Sequence, residues 1–194
     1  MILRTHIINH LIEKNNYKTY LEIGVYNGTN LRNVIADHKV GVDPEPNWSG
    51  ESVTDYKMDS DSFFSQNKQK FDIIFIDGLH HADQVTRDIK NALTVLNKGG
   101  SVVCHDMNPE QEIYQMIPQQ SEIWLGDCWK AWVRLREELD YNMFVVDTDC
   151  GCGIIQEGDP SPLVIKKELT YSNLSANRKE WLNLLSVKDF SILY

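Results

Sequence analysis

Apolar residues are spaced in two alternating rhythms along the first hundred positions. In MILRTHIINHLIEKNN, Leu3, Ile7, Ile8, Leu11 and Ile12 share one helical face, so residues 1–18 are expected to carry an amphipathic first helix. Short apolar runs then predict strands at TYLEIGV (19–25), KVGVD (39–43), FDIIFID (71–77) and SVVCHD (101–106), with a weaker one in SVTDYKMD (52–59). FDIIFID has an unbroken apolar centre, which fits a strand buried on both faces of a parallel sheet. Helical patterns separate the strands at LRNVIADH (31–38), DSFFSQ (61–66) and HADQVTRDIKNALTVLN (81–97). The last of these places Val85, Ile89, Ala92, Leu93 and Leu96 on one face, and Asn-Lys-Gly-Gly (97–100) is its expected stop.

Beyond residue 106 the rhythm changes. Residues 107–132 form a long connection, of the kind that serves as a lid or binding loop over a substrate. WKAWVRLREEL (129–139) is helical. NMFVVDTD (142–149) and GCGIIQEG (151–158) are strands joined too closely for a crossover, so they pair as an antiparallel hairpin. LVIKKELTY (163–171) reads as extended and ANRKEWLNLLSV (176–187) as a final helix. The sum is an α/β fold: a doubly wound, mostly parallel seven-stranded sheet with a C-terminal antiparallel hairpin and helices on both faces. No internal boundary divides residues 1–194, so one domain is expected.

Composition narrows the function classes. With 42% hydrophobic and 24% charged residues, the chain has the make-up of a globular domain. It lacks a run of eighteen apolar residues and a secretory-type apolar region, which predicts a cytoplasmic protein with no membrane partner. A net charge of −9 without a Lys or Arg run opposes nucleic-acid binding and favours a small neutral or cationic ligand. Cys104, Cys128, Cys150 and Cys152 lack C-x-x-C spacing and are read as reduced thiols. A homodimer stays open.

In an open α/β sheet, ligands sit outside the carboxyl ends of the strands. After the first strand comes Glu22-x-Gly24-x-x-x-Gly28, a turn whose glycines let the backbone approach a ligand. It lacks the G-x-G-x-x-G spacing of dinucleotide folds. Asp43 ends the second strand roughly 20 residues on, where a carboxylate can accept from two ribose hydroxyls.

This E-x-G-x-x-x-G turn, the acid ending strand two and the terminal hairpin together resemble the S-adenosylmethionine-dependent methyltransferases of the Rossmann-like class I fold. The resemblance covers roughly residues 15–160. It implies S-adenosylmethionine as cofactor and a binding set of Glu22, Gly24, Tyr26, Gly28 and Asn30 in the turn, with Asp43 and Pro44 at the ribose. Asp59 and Ser60 then border the adenine, and Asp77 completes the set. A closer likeness runs through IDGLHHADQVTRDI, LNKGGSVVCHDMNP, GDCWKAWVRLR and VVDTDCGCGII. These segments are similar to a branch of small bacterial enzymes related to catechol-type and macrocin-type O-methyltransferases, which implies O-methylation of a small hydroxylated metabolite or sugar.

In catechol-type relatives, acids ending strands four and five bind a divalent ion with an Asn. Asp77 and Asp106 match the two acids, but Asn108 is displaced by one position. The resemblance therefore leaves open a magnesium or manganese site of Asp77, Asp106 and His105. The metal-free alternative uses His80 or His81 as general base, and Asp77, His80 and Asp106 form the expected catalytic set. Trp124, Trp129 and Trp132 could stack on an acceptor ring or pack in the core. The competing readings are a nicotinamide-dependent oxidoreductase and a non-catalytic cofactor-binding or scaffolding subunit.

Overall fold

The computed structural model describes residues 2–47, 54–160 and 163–193. Its elements run α1 (Arg4–Asn15), β1 (Thr19–Ile23), α2 (Thr29–Asn33), β2 (His38–Val42), α3 (Ser60–Gln66), β3 (Phe71–Ile76), α4 (Ala82–Val95) and β4 (Leu96–Cys104). A 3-10 turn at Glu112–Gln115 precedes α5 (Cys128–Glu138), β5 (Asn142–Val146), β6 (Cys152–Gln156), α6 (Tyr171–Leu182), β7 (Leu184–Leu185) and α7 (Val187–Leu193). The seven strands lie in the order β2-β1-β3-β4-β6-β5-β7. Neighbours from β2 to β4 are parallel, β6 is antiparallel to both β4 and β5, and β7 is parallel to β5. No helix of the described residues is long and apolar enough to cross a membrane.

Alternation along the central strands splits the core in two. Leu21, Ile23, Ile74, Ile76, Val102 and Cys104 face one side, where α4, α5 and α6 contribute Ile89, Trp132 and Leu182. Tyr20, Ile73, Phe75 and Val103 face the other, packed under Ile7, Ile8 and Leu11 of α1 and Phe190 of α7. Trp129 and Trp132 are fully buried in the first core, and Trp129 stacks on Trp181 at 6.2 Å between ring centroids. Of the three tryptophans left open between stacking and core packing, these two are core residues.

Several elements differ from the sequence pattern for local reasons. The expected helix 31–38 stops at Asn33, because the Lys39 ammonium on β2 donates to the carbonyls of Leu31, Arg32 and Val34 and closes that end. The weak strand expected at 52–59 begins outside the described residues. Its described part makes a single parallel bridge, Val42 to Tyr56, while the Asp55 carboxylate takes the Gly41 amide in place of a ladder bond. Helix α4 ends at Val95 rather than at the glycines, which lie in the irregular start of β4. The final helix divides: Asn183 adopts a left-handed conformation that ends α6, Leu184–Leu185 join the sheet, and α7 follows. Thus the seventh strand is β7, and 163–170 runs without a ladder.

Parallel register decides where the site forms. Ile23 is level with Val42 and Ile76, and Ile76 is level with Cys104. Hydrogen bonding continues one residue past the strands, from the Gly24 amide to Val42, the Asp77 amide to Ile23 and the His105 amide to Ile76. Asp43, Gly24, Asp77 and His105 therefore form a row along the carboxyl edge. Gly24 is required there twice over: its φ is +87°, and a Cβ would lie 2.0 Å from the Asp77 carbonyl oxygen. We expect Gly24→Ala to destabilise the fold by at least about 3 kcal/mol, the scale of combined backbone strain and steric overlap. Urea denaturation monitored by circular dichroism measures this, and a near-neutral change would contradict the close packing of this turn.

Candidate functional site

The carboxyl edge opens into a cavity of about 990 Å³. One end is lined by Gly24, Tyr26, Asp43 and Pro44, together with Met58, Asp59 and Ser60. The other end is lined by Asp77, His80, His105 and Asp106, with Arg4 from α1. Gln119, Glu122, Ile123, Trp124 and Leu125 from the long connection form the wall between this end and solvent.

At the first end, the Asp43 carboxylate is held by backbone amides. Tyr26 N donates to Oδ2 at 2.7 Å and Glu45 N to Oδ1 at 2.8 Å. Asp59 caps α3, with Ser62 N donating to it at 2.7 Å, and this hydrogen bond chiefly lowers its pKa. Glu22, Gly28 and Asn30 do not line this cavity. Gly28 precedes α2 with φ 73°, and Glu22 and Asn30 border a smaller cavity of about 360 Å³ behind the turn. Burial pushes the Glu22 carboxyl up to about 7, although Tyr20 and Asn30 both donate hydrogen bonds to its Oε2. Glu22 therefore faces the space behind the turn rather than the main cavity.

At the second end, Asp77 follows β3 and Asp106 follows β4 with φ 64°, a left-handed conformation that Asp tolerates better than most residues. His80 Nε2 lies 3.3 Å from Asp77 Oδ1 and 3.2 Å from Asp106 Oδ2. Its Nδ1 lies 3.1 Å from the Trp124 carbonyl, whose ring packs on His80 at 5.2 Å. Gly126 permits this docking, since a Cβ there would lie 1.7 Å from the His80 carbonyl oxygen. His105 Nδ1 is 3.0 Å from Asp106 Oδ1 and 3.5 Å from Asp77 Oδ1, and its Nε2 is 3.6 Å from Asp149 Oδ2. Neither His105 nitrogen is aligned for a hydrogen bond, so we treat these contacts as charge attraction. His81 caps α4 and lies edge-on to Trp124, outside the cavity lining.

Two members of this end carry no sequence signal. Arg4 Nη1 donates to Asp77 Oδ2 at 2.8 Å, while its Nε and backbone amide donate to Asp149 Oδ2 at 2.9 and 2.8 Å. Asp149 lies in the β5–β6 loop, 145 residues away along the chain. Asn108 moves the other way: its amide donates to Asp147 at 2.9 Å and its carbonyl accepts from Arg178.

Charge pairing dominates the site. Burial alone would raise the Asp77 pKa, but the charges of His105 and His80 and the His80 hydrogen bond hold it well below the usual carboxylate range. Burial likewise opposes the ionisation of Asp149, and contacts with His105 and Arg4 outweigh it and lower its pKa. Burial would lower both imidazoles, yet the neighbouring carboxylates raise His80, and raise His105 further. One ligand atom each of Asp77, His80 and Asp106 lies within 4.8 Å of the others, and the same holds for His105, Asp149 and Cys152. Distance alone thus groups Asp77 and Asp106 with His80, and places the expected His105 with Asp149 and Cys152 instead. The four cysteines are free thiols, and burial pushes Cys152 up to about 12.

Residues 21–107, a little under half of the chain, match the family model described as a methyltransferase domain. Among solved structures, the O-methyltransferase of Bacillus cereus in complex with SAH is similar at 12% identity and a TM-score of 0.58, over 79% of this chain and 80% of that one. The O-methyltransferase TomG of Streptomyces achromogenes, in complex with SAM, is similar at 14% identity and a TM-score of 0.55, over 80% of each chain. The SAH-bound Podospora anserina methyltransferase PaMTH1 is similar at 15% identity and a TM-score of 0.55, over 82% of this chain and 80% of that one. These are likenesses of fold. No curated protein matches the sequence. The carboxyl ends of β1, β2, β3 and β4, which supply the strand ends of the site, all fall within the matched residues.

The Glu22 environment yields a stability prediction. A carboxyl whose folded pKa lies above its unfolded value favours folding less as pH rises between the two. Glu22→Gln should therefore be close to neutral at pH 4 and stabilising by up to roughly 3 kcal/mol above pH 7. Denaturant titrations at the two pH values check this; an equal effect at both would mean that Glu22 is ionised in the fold at neutral pH.

Proposed function

We propose that this domain transfers the methyl group of S-adenosylmethionine to a hydroxyl of a small molecule. The observation that carries this reading is one cavity whose two ends have different chemistry. At one end Asp43, fixed by two amides, is suited to ribose hydroxyls beside an open glycine turn. At the other, an imidazole faces the same space between two acids. Cofactor-bound structures of similar fold support the choice of cofactor.

In this reading the acceptor oxygen attacks the sulfonium methyl in line. A C–O bond forms, the C–S bond breaks, and sulfur keeps the electron pair as a neutral thioether. The hydroxyl proton passes to His80 Nε2. With both nitrogens facing acceptors, the geometry is that of the imidazolium; above its raised pKa His80 keeps Nδ1–H on the Trp124 carbonyl and Nε2 is free to take the proton. Asp77 and Asp106 then stabilise the imidazolium. The segment 107–132 acts as the acceptor lid, with Trp124 as its planar contact. We read residues 1–194 as one cytoplasmic domain acting on a small molecule. The family match and the E-x-G-x-x-x-G turn favour this over a nicotinamide enzyme or a scaffold.

Calorimetric titration tests the cofactor end. S-adenosylmethionine should bind, and Asp43→Ala should weaken it at least about tenfold, as expected when paired polar contacts lose their acceptor. An unbound wild-type protein would end the methyltransferase reading. A pH–rate profile across a panel of phenols and sugars tests the acceptor end. The rate should rise with pH through a His80 pKa held above the ordinary imidazole value, because the unprotonated form is the base. Asp77→Asn should move that limb to lower pH. A limb at or below the ordinary value in the wild type would remove His80 from the role.

A further inference from the structure

Arg4 stands on the first turn of α1, outside every motif used so far, yet it lines the cavity between two carboxylates. Other contacts also dock the helix. Ile7, Ile8, Leu11 and Ile12 bury the helix face, Thr148 Oγ1 donates to the Ile2 carbonyl at 2.6 Å, and Thr5 Oγ1 donates to Asn30 at 2.6 Å. What Arg4 adds is a guanidinium fork that fixes Asp77 against Asp149.

We propose that Arg4 is a positioning residue of the acceptor site: its guanidinium clamps Asp77 to Asp149 and supplies the fixed positive charge beside the reacting groups, in place of a divalent ion. This rests on the methyl-transfer reading and specifies the electrostatics of that same site.

The donor set supports it. Three carboxylates, Asp77, Asp106 and Asp149, meet Arg4, His80 and His105. Each carboxylate oxygen faces a nitrogen of this group. Asp77 Oδ2 and both Asp149 oxygens take Arg4, and Asp77 Oδ1 and both Asp106 oxygens take the two imidazoles. Magnesium asks for near-octahedral oxygen ligation, and here every oxygen is already paired. Asn108, just past β4, is turned to Asp147 and Arg178. The residues do not fit a resident divalent ion, and the fork geometry of Arg suits the two-carboxylate clamp in a way a lysine cannot match.

Binding of Mn²⁺ alone to the full chain tests this, read from the loss of the free-ion paramagnetic resonance signal. Wild type should bind Mn²⁺ no tighter than about millimolar. Arg4→Ala, confirmed as folded by its melting transition, should gain at least about tenfold, because an unpaired carboxylate pair attracts a cation. Arg4→Lys, which keeps a charge near Asp77, should stay close to wild type. Micromolar Mn²⁺ binding by wild type overturns the proposal, as does a folded Arg4→Ala with no gain. If Arg4→Ala does not fold, the wild-type affinity alone decides. S-adenosylmethionine binding by the same wild-type sample separates the two readings: its absence counts against methyl transfer, while the Mn²⁺ result bears on Arg4.

Discussion

The site depends on the level register of four parallel strands. Because Val42, Ile23, Ile76 and Cys104 lie level across the sheet, the next residue of each strand emerges at the same height. That row is Asp43, Gly24, Asp77 and His105. A one-residue slip in any strand would turn its core face outward, so the apolar pattern that fills the two cores also fixes the row. Gly24 marks the tightest point: the β1 turn and the backbone of Asp77 and Gly78 approach so closely that no side chain fits between them.

A row of acids at a sheet edge would repel itself if left alone. The protein answers with cations from three separate parts of the chain. His80 comes from the approach to α4, His105 from the strand end itself, and Arg4 from the N-terminal helix. Partly buried charges of this kind are costly unless each is paired, and pairing of this density makes the cluster rigid rather than simply stable. In the proposed reaction that rigidity would hold the imidazole at a fixed angle to the acceptor oxygen. The Trp124 carbonyl and Gly126 extend that rigidity into the long connection, so the wall of the acceptor end is tied to the imidazole it covers.

The strand ends were legible in the sequence because apolar runs stop abruptly there, at Gly24, Asp43, Asp77 and His105-Asp106. So was the antiparallel hairpin, whose two strands leave no room for a crossover. Arg4 and Asp149 were not legible: they meet across 145 residues, and neither breaks a pattern where it stands. The role of Asn108 was hidden for the same reason, since its partners Asp147 and Arg178 lie on the hairpin and on α6. The two core tryptophans were ambiguous because helical spacing does not reveal which face meets a neighbour. In the final segment, one helical run concealed a two-residue strand, because Asn183 stops α6 through a left-handed conformation rather than through Gly or Pro.

Glu22 and Asp77 show how far environment, rather than residue type, assigns the roles. Both are carboxyls at the same sheet edge, and each raises the other's cost of ionisation. Asp77 is surrounded by Arg4, His80 and His105, and is held ionised. Glu22 faces a phenol and an amide, is almost fully buried, and has its pKa pushed to about 7. Two acids driven apart in this way divide the work. Asp77 anchors the charged row that lines the cavity, while Glu22 sits behind the glycine turn without placing a second full charge beside it. The conspicuous acid of the E-x-G-x-x-x-G turn thus faces away from the main cavity, and the ionised acid of the row lies one strand over.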